Sequence, residues 1–232
     1  MGSALAVAQA THWHLRQMGV FRSLADRELK QLVKLAALRL IKIGTDVYRA
    51  GDLANHFFLI RSGKVKLYRE LPNGRSMILD FHGAGDLFGE GAVFGEDRRG
   101  ENAEVVEDAF VCIIDRDQFA SYLNQHPDVA LHMGGVITRR RRRAEAASAA
   151  LLSEDVRTRR AHALAKLAFE HGHEDEKGLR VDLRLTQTDL AQLVGSTRET
   201  TSMAFNAFKR DGLVDAKDRV VWVLQPEALA AF

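Results

Sequence analysis

The chain has 232 residues, of which 46% are hydrophobic, and a formal net charge of only +2. This length allows one or two domains with hydrophobic cores, and the small charge excludes a polycation that coats nucleic acid without specificity. The single cysteine, Cys112, excludes an intrachain disulfide and an iron–sulfur cluster held by cysteines of one chain. No apolar run reaches the roughly 18 residues of a membrane span, and the N-terminus lacks a signal-peptide pattern. We therefore expect a soluble, cytoplasmic protein with no membrane partner.

The first half of the chain changes in character from a helix to short strands. Apolar residues at helical spacing predict a helix over residues 21–40. From residue 41 to residue 114, short alternating apolar runs are separated by glycines. Among these, Asn73 and Gly74 after Pro72 form the strongest hairpin pattern. Strands of this length and spacing predict a small antiparallel barrel or jelly roll.

A much longer helix is predicted to follow the strands. Pro127 suits its first turn, and the helix continues to about residue 152, a length of roughly 40 Å. A break at residues 153–155 precedes a second helix over residues 156–171 and a polar loop over residues 171–178. The predicted divisions are an N-terminal domain (1–126), the long helix with a hinge (127–153) and a C-terminal domain (154–232).

The most informative stretch lies near the C-terminus and is typical of a helix-turn-helix. Thr186 and Asp189 have the spacing of a capping box at the start of a short helix. Gly195 then supplies a tight turn. Ser196 and Glu199 have the same capping-box spacing, which predicts that a second helix begins at once.

The second of these helices has two contrasting predicted faces. Its apolar positions are Met203, Ala204, Ala207 and Phe208. Its polar positions are Thr197, Arg198, Thr200, Thr201, Ser202, Lys209 and Arg210. Hydrogen-bonding groups at the start of such a helix suit a DNA major groove, whereas an αα-hairpin that only packs in a core does not need them. A predicted β-hairpin over residues 213–223 completes a winged helix-turn-helix.

This order of barrel, long helix and winged helix resembles the family of the cAMP receptor protein and the fumarate–nitrate regulator (CRP/FNR), over about residues 20–225. The most specific segments are Phe-Gly-Glu at 88–90 and Gly-Ser-Thr-Arg-Glu-Thr at 195–200. The resemblance implies an α+β fold with an N-terminal cyclic-nucleotide-binding-like β-barrel (jelly roll), a long dimerisation helix and a C-terminal winged helix-turn-helix. It also implies a homodimeric transcription regulator that binds DNA and contacts RNA polymerase, with a barrel that holds or once held an effector.

The effector pocket departs from the cAMP-binding pattern. By resemblance, Glu90 after Gly89 matches the glutamate that binds the ribose hydroxyl. The Arg-Ser/Thr-Ala triplet that pairs with the cyclic phosphate is replaced by Glu101 and Asn102 followed by alanine. A carboxylate in that position repels a phosphate. Arg98 and Arg99 lie two to three residues away and could replace the missing arginine only if the loop is rebuilt. The effector-pocket candidates are therefore Gly89, Glu90, Glu101, Asn102 and Arg141.

A second departure lies on the long helix, where Ala144 and Glu145 stand in place of two adjacent hydroxyls that contact the base. We therefore predict a regulator that does not respond to cAMP and whose effector is unknown. The N-terminal cysteines of the iron–sulfur subfamily are absent. Haem stays an alternative because the chain has nine histidines, although none of them has a spacing typical of haem ligands. The sequence thus predicts no cofactor, no metal site and no catalytic residue, so an enzyme is not expected.

The second helix of the helix-turn-helix can be interpreted base by base. Arg198 can form a bidentate pair with guanine O6 and N7, and Glu199 can accept a hydrogen bond from a cytosine amino group. Met203 stands where the cAMP receptor pattern has a second arginine, and it favours contact with a thymine methyl group. We predict a palindromic site in double-stranded DNA, with half-sites about one helical turn apart. The predicted DNA contacts are Thr197, Arg198, Glu199, Thr200, Ser202, Met203 and Lys209, of which Thr197, Thr200 and Lys209 suit phosphates.

Five consecutive arginines, residues 139–143, interrupt the long helix. At about 100° per residue they point all around it. A dimer seam would pass through Ile137, Arg141, Ala144, Ser148 and Leu151. Arg141 would then lie at the seam; the alternatives are that the arginines point outward, pair with acidic barrel residues, or bind an anionic effector between subunits. The other functional hypothesis is a ligand-binding sensor whose winged helix contacts a protein rather than DNA.

Overall fold

The computed structural model describes residue 21, residues 24–183 and residues 185–232. Contacts divide the chain into two compact units. The first consists of Met1–Arg69 and Leu79–Arg142, and the second of Glu70–Ile78 and Arg143–Phe232. None of the described helices combines the length and the apolarity needed to cross a membrane. The domain boundaries near residues 126 and 153 stay predictions.

A six-stranded sheet is the main element of the N-terminal half. Its strands are β1 (Ala36–Ile41), β2 (Asp46–Tyr48), β3 (His56–Glu70), β4 (Ser76–His82), β5 (Leu87–Phe88) and β6 (Asn102–Asp115). The strand order is β1-β6-β3-β4, with β2 paired to β6 and β5 paired to β3. Register shifts interrupt the long pairing of β3 with β6, and such bulges bend and twist a sheet. The sheet is not a closed barrel, but it is compatible with a jelly roll, and the predicted fold class is confirmed.

Two local predictions for this half had different outcomes. The hairpin at Asn73 and Gly74 is confirmed, because the Leu71 N–H donates to the Arg75 carbonyl at 2.7 Å and Gly74 has a φ of 75°. The helix predicted over residues 21–40 is too long: helix α1 spans only Asp26–Leu35. Ala36 instead begins β1, whose backbone pairs with β6, and this long-range pairing overrides the local helical spacing.

Consecutive phenylalanines of β3 belong to different hydrophobic cores, because side chains alternate between the two faces of a strand. Phe57 packs in a core that also contains the buried Cys112. Phe58 packs in a second core with Tyr48 and Phe88. The rings of Phe58 and Phe88 stack with their centroids 4.9 Å apart. Phe88 directly precedes the candidate pocket residues Gly89 and Glu90 in the chain, so this second core adjoins them.

Two helices follow β6, and their bounds are α2 (Arg116–Gln125) and α3 (Pro127–Ser153). The Asp115 carboxylate caps α2 by accepting hydrogen bonds from the backbone N–H groups of Asp117 and Gln118, both at 3.0 Å. Helix α3 is the predicted long helix, and it begins at Pro127 as expected. Residues 141–149 of α3 are all exposed in this single chain, which leaves that part of the helix surface open for a partner.

The C-terminal region contains four helices, the end of α3 and a small four-stranded sheet. Its elements are α4 (Val156–His171), β7 (Gly172–Asp175), β8 (Gly178–Val181), α5 (Gln187–Leu193), α6 (Arg198–Arg210), β9 (Val214–Lys217), β10 (Val220–Val223) and α7 (Pro226–Ala230), together with the end of α3. The sheet order is β7-β8-β10-β9. The predicted helix-turn-helix is therefore α5 and α6, and the predicted wing is β9 with β10.

The loop predicted over residues 171–178 is wrong in part. Strand β7 occupies Gly172–Asp175 and pairs with β8, with Gly172 opposite Val181. The side chains of β7 are polar and exposed or half-buried, so no apolar alternation marks this edge strand. Backbone hydrogen bonds to β8 hold it, and composition alone does not reveal such pairing.

Candidate DNA interface and effector pocket

The first helix of the helix-turn-helix begins as predicted. Thr186 Oγ1 accepts a hydrogen bond from the Asp189 N–H at 3.0 Å, and Asp189 Oδ2 accepts one from the Thr186 N–H at 2.9 Å. These reciprocal bonds satisfy two backbone donors that a helix start leaves unpaired. Gly195 follows with a φ of 65°, a left-handed conformation that glycine adopts without steric cost. Local sequence therefore defines both the start of α5 and the turn after it.

The start of α6 differs from the prediction by one residue. The N-cap is Thr197, whose Oγ1 accepts a hydrogen bond from the Thr200 N–H at 3.3 Å, so the capping box predicted at Ser196 is wrong. Ser196 and Thr197 both carry hydroxyls, and spacing alone does not decide which of them caps. This shift makes Arg198 and Glu199 the first two residues of α6, where both side chains project from its N-terminal turn.

The buried face of α6 also differs from the prediction. Thr201, Phe205 and Phe208 are buried, although Thr201 was placed on the polar face. Met203 was placed on the apolar face but is 74% exposed. The apolar pattern of the sequence fits more than one rotational phase of the helix, and packing against α4 selects the observed one. An apolar side chain on the open surface of α6 is available to touch a ligand.

Most of the predicted DNA contacts lie on the open surface of α6. Arg198 and Glu199 are exposed, and among the described residues their side chains have no hydrogen-bond or ion-pair partner. Ser202 is half-buried beside them. Lys209 is exposed, but its ammonium lies 2.8 Å from Asp215 Oδ1 and holds the pKa of that carboxyl below its usual range. The exposed members of the set are Thr197, Arg198, Glu199, Thr200, Met203 and Lys209.

Sequence analysis did not select the tip of the wing. Asp218 and Arg219 have φ values of 53° and 66°, as a two-residue hairpin turn with both central residues left-handed requires. Lys217 and Arg219 are exposed on either side of this tip. Two cations close together at a hairpin tip, Lys217 at the end of β9 and Arg219 in the turn, are a sequence pattern that could have indicated a phosphate-contacting surface.

The candidate effector pocket contains a paired carboxylate. Glu90 Oε1 accepts a hydrogen bond from Arg140 Nη1 at 2.7 Å. The other nitrogen of the same guanidinium, Nη2, donates to the Leu87 carbonyl at 2.5 Å. Arg140 is thus a member of the arginine run that pairs with an acidic residue of the N-terminal domain, one of the alternatives that the sequence left open for this run. Arg141 is exposed. The ribose-binding role expected for Glu90 would require this carboxylate to leave or share its ion pair.

A buried arginine fills the space next to Gly89. Arg99 is only 4% exposed, and its guanidinium donates to the Gly89 carbonyl at 2.8 Å and to the His56 carbonyl. It also lies over the Tyr48 ring, 4.3 Å from the centroid. A Cβ atom added to Gly89 would approach Arg99 Nη1 to 2.7 Å, so the glycine and the guanidinium fit each other closely.

The two residues in the place of the phosphate-binding pair are also engaged. Glu101 Oε1 accepts a hydrogen bond from the Tyr48 hydroxyl at 2.8 Å, and burial together with this carboxylate raises the pKa of Tyr48. Asn102 is buried, and its Oδ1 accepts from the Ala50 N–H at 3.0 Å. Neither residue presents an uncommitted donor to an anion. Within the described ranges, no group of three or more histidine, cysteine or acidic residues is arranged to hold a metal ion.

Comparison with known families accounts for both parts of the chain. Residues 38–126 match the model of the cyclic nucleotide-binding domain, and residues 158–232 match that of the Crp-like helix-turn-helix domain. The CRP-like cAMP-activated global transcriptional regulator of Mycobacterium tuberculosis is 32% identical over 216 residues, which cover 93% of this chain and 96% of that protein. The chain belongs to the CRP/FNR family.

Further similarities agree with this membership. The cyclic AMP receptor protein of Thermus thermophilus is 31% identical over 195 residues, covering 84% of this chain and 87% of that protein. The structure of the c-di-GMP responsive global regulator CLP of Xanthomonas campestris superposes with a TM-score of 0.75 and 23% identity, over 86% of this chain and 99% of that one. This last similarity supports the fold alone.

As a CRP/FNR member, the chain is a DNA-binding transcription regulator. The alternative hypothesis, a sensor whose winged helix contacts only proteins, is not favoured. The related proteins are transcription regulators and not enzymes.

Proposed function

We propose that the chain works as a homodimer that reads a palindromic DNA site through the first turn of α6 and that it does not respond to cAMP. The observation that carries the proposal is the exposure of Arg198, Glu199 and Met203 on one helix start, with no described partner for the two charged side chains. Arg198 would pair with a guanine and Glu199 with a cytosine amino group, because these edges match in the major groove. Met203 would contact a thymine methyl group.

The remaining contacts would position α6 on the DNA backbone. Thr197, Thr200 and Lys209 are exposed around the base-reading residues and suit phosphate oxygens. The positive end of the helix dipole adds attraction for a phosphate near Thr197. The proposed role also includes contact with RNA polymerase. The protein would act in the cytoplasm, where the DNA lies.

Dimerisation would use the open part of α3. Leu131 and Leu152 of α3 are 78% and 92% exposed, respectively, so a partner that covered them would remove apolar surface from water. The proposed seam runs through Ile137, Arg141, Ala144, Ser148 and Leu151. A second copy of α3 packed on this face would place small residues at the closest approach of the two helices.

The absence of a cAMP response follows from the way in which the pocket is filled. Arg99 occupies the space between Gly89 and the Tyr48 ring, and Arg140 forms an ion pair with the Glu90 carboxylate. Glu101 would bring a negative charge toward a cyclic phosphate, which repels it. Two of the related proteins are named for cAMP, and neither name determines what this chain binds.

Three measurements test the proposal. Selection from randomised duplexes should recover a palindrome, and failure to enrich any site would refute sequence-specific reading. Sedimentation should give a dimer that Ser148→Glu dissociates, because two carboxylates would meet at the seam, whereas Ala147→Glu on a neighbouring face should leave it intact. Calorimetry with cAMP should show no binding, and micromolar binding that Glu90→Ala removes would overturn that part.

A further inference from the structure

The largest fully buried side chain of the described residues is a charged one, Arg160 of α4. It is 0% exposed, and within the described part of the chain no carboxylate lies within ion-pair distance of it. Burial without such a partner lowers the pKa of Arg160 to about 9, which reflects the cost of removing its charge from water. An aliphatic residue would fill a helix core at less cost, so the contacts that Arg160 makes are informative.

Each arm of the Arg160 guanidinium reaches a different helix of the helix-turn-helix. Nη1 donates to the carbonyl of Thr201 in the first turn of α6. Nη2 donates to Gln187 Oε1, on the first residue of α5, at 3.0 Å. The plane of the guanidinium lies over the ring of Phe205, 4.9 Å from the centroid. One rigid, planar group therefore joins α4, α5 and α6 at a single point.

Two neighbouring arginines of α4 hold the ends of the same helices. Arg159 Nε donates to the carbonyl of Val194, which ends α5, at 3.1 Å. Arg157 Nη2 lies 3.2 Å from Asp211 Oδ2, at the end of α6. The Arg157–Asp211 pair is about half exposed and is worth little as an ion pair. Arg160 is shielded from solvent by its burial, so its geometry is the most constrained of the three.

We propose that Arg160 is a positioning residue for DNA recognition, fixing the angle between α5 and α6 so that Arg198, Glu199 and Met203 meet base edges in register. Apolar packing has no preferred direction, whereas two hydrogen bonds from one planar fork specify both distance and angle. Bidentate pairing with guanine depends steeply on such alignment, and contact with phosphates depends on it much less. Loss of the fork should therefore reduce sequence discrimination before it reduces general DNA affinity.

This inference rests on the proposed base-reading role of α6, and the test separates the two. A preferred site is first selected from randomised duplexes with the unmodified chain. The affinities for the selected site and for a scrambled duplex are then measured over a range of salt concentrations. Failure of the unmodified chain to prefer any site refutes the proposed function and is not informative about Arg160 alone. Once a preferred site is known, the affinities of the variants Arg160→Met and Arg160→Lys for both duplexes are compared with those of Arg157→Met.

We expect Arg160→Met to melt at the same temperature as the unmodified chain or higher, while its preference for the selected site over the scrambled duplex falls about tenfold. Arg160→Lys should lose preference similarly, because a single ammonium does not reproduce the planar fork. Arg157→Met, with the same loss of charge on the same helix, should change the preference by no more than about twofold. The salt dependence of scrambled-duplex binding should not change in either methionine variant.

Retention of the full preference by Arg160→Met would overturn the inference and leave Arg160 a mere core residue. If that variant does not fold, Gln187→Leu decides, since it removes one acceptor of the fork from a half-buried position on α5. A folded Gln187→Leu variant with undiminished preference would also overturn it, whereas a severalfold loss of preference with unchanged scrambled-duplex affinity would support it.

Discussion

The candidate effector pocket and the start of α6 both carry charged side chains, but these are engaged in opposite ways. In the pocket, Glu90 is paired with Arg140, and Arg99 is bound by backbone carbonyls and an aromatic ring. At the start of α6, Arg198 and Glu199 are exposed and have no partner among the described residues. Charged groups satisfied within the protein stabilise its fold, whereas uncommitted groups on a rigid helix are available for a ligand.

This contrast indicates that the start of α6, rather than the pocket, is available to bind a ligand. Binding at the pocket must first break existing contacts, and the free energy of those contacts is subtracted from the affinity. Binding at α6 replaces only water. The predictions that follow test the contrast, beginning with the largest expected effect.

The pocket arginine should contribute most to stability. Arg99→Ala leaves the Gly89 and His56 carbonyls without this donor and opens a void against Tyr48, so we expect the free energy of unfolding to fall by about 3 kcal/mol. Urea denaturation measures this change. The matched control is Arg98→Ala, because Arg98 is adjacent but exposed, and it should cost less than about 0.5 kcal/mol. Equal small effects would show that Arg99 is not a structural part of the pocket.

The exposed pair on α6 should show the reverse behaviour. Arg198→Ala and Glu199→Ala should each weaken binding to the selected DNA site by about 1–3 kcal/mol, because each removes a base-edge contact, with little change in stability. Titrations with the selected and the scrambled duplex provide the comparison. Arg210→Ala, an exposed arginine at the far end of α6, serves as the control and should affect both duplexes alike. Equal losses on both duplexes for Arg198→Ala would contradict base reading.

An apolar substitution should improve the core of the helix-turn-helix. The Thr201 hydroxyl is buried without a hydrogen-bond partner among the described residues. Thr201→Val keeps the shape and removes that unsatisfied group, so the free energy of unfolding should rise by about 1 kcal/mol. Thermal melting detects the change. Thr200→Val, on the exposed side of the same turn, should give no gain, and a loss in Thr201→Val would indicate that the hydroxyl has a role in the fold.

The smallest expected effect concerns a lysine that is only partly available to DNA. Asp215→Asn removes the carboxylate beside Lys209, so affinity for any duplex at low salt should rise a few-fold, and the salt slope should steepen by roughly one unit. Asp218→Asn changes the net charge equally at the wing tip and controls for charge alone. Because Lys209 lowers the pKa of Asp215, acidification from about pH 8 to about pH 6 should not mimic the substitution. An unchanged slope would exclude a phosphate contact by Lys209.

Local chemistry in the sequence was sufficient for several features. The Thr186–Asp189 capping box, the turn at Gly195 and the hairpin at Asn73 each involve residues within a few positions of one another. Their hydrogen bonds form between neighbours in the chain, so spacing alone specifies them. The order of these elements, with the two motifs at 88–90 and 195–200, was also enough to indicate the family.

Other features depended on contacts between distant residues, and only the tertiary structure decided them. Ala36 was predicted to be helical and became part of β1 because β6, more than seventy residues later, supplied its backbone partners. Thr201 looked polar in the sequence and is buried, because α4 packs on that side of α6. Arg99 and Arg160 are typical surface residues in composition, yet each is buried where carbonyls and a ring from elsewhere in the chain receive its charge. The sequence alone determines the local hydrogen bonds and the motifs; burial and partner choice arise from the packing of segments that are far apart in the chain.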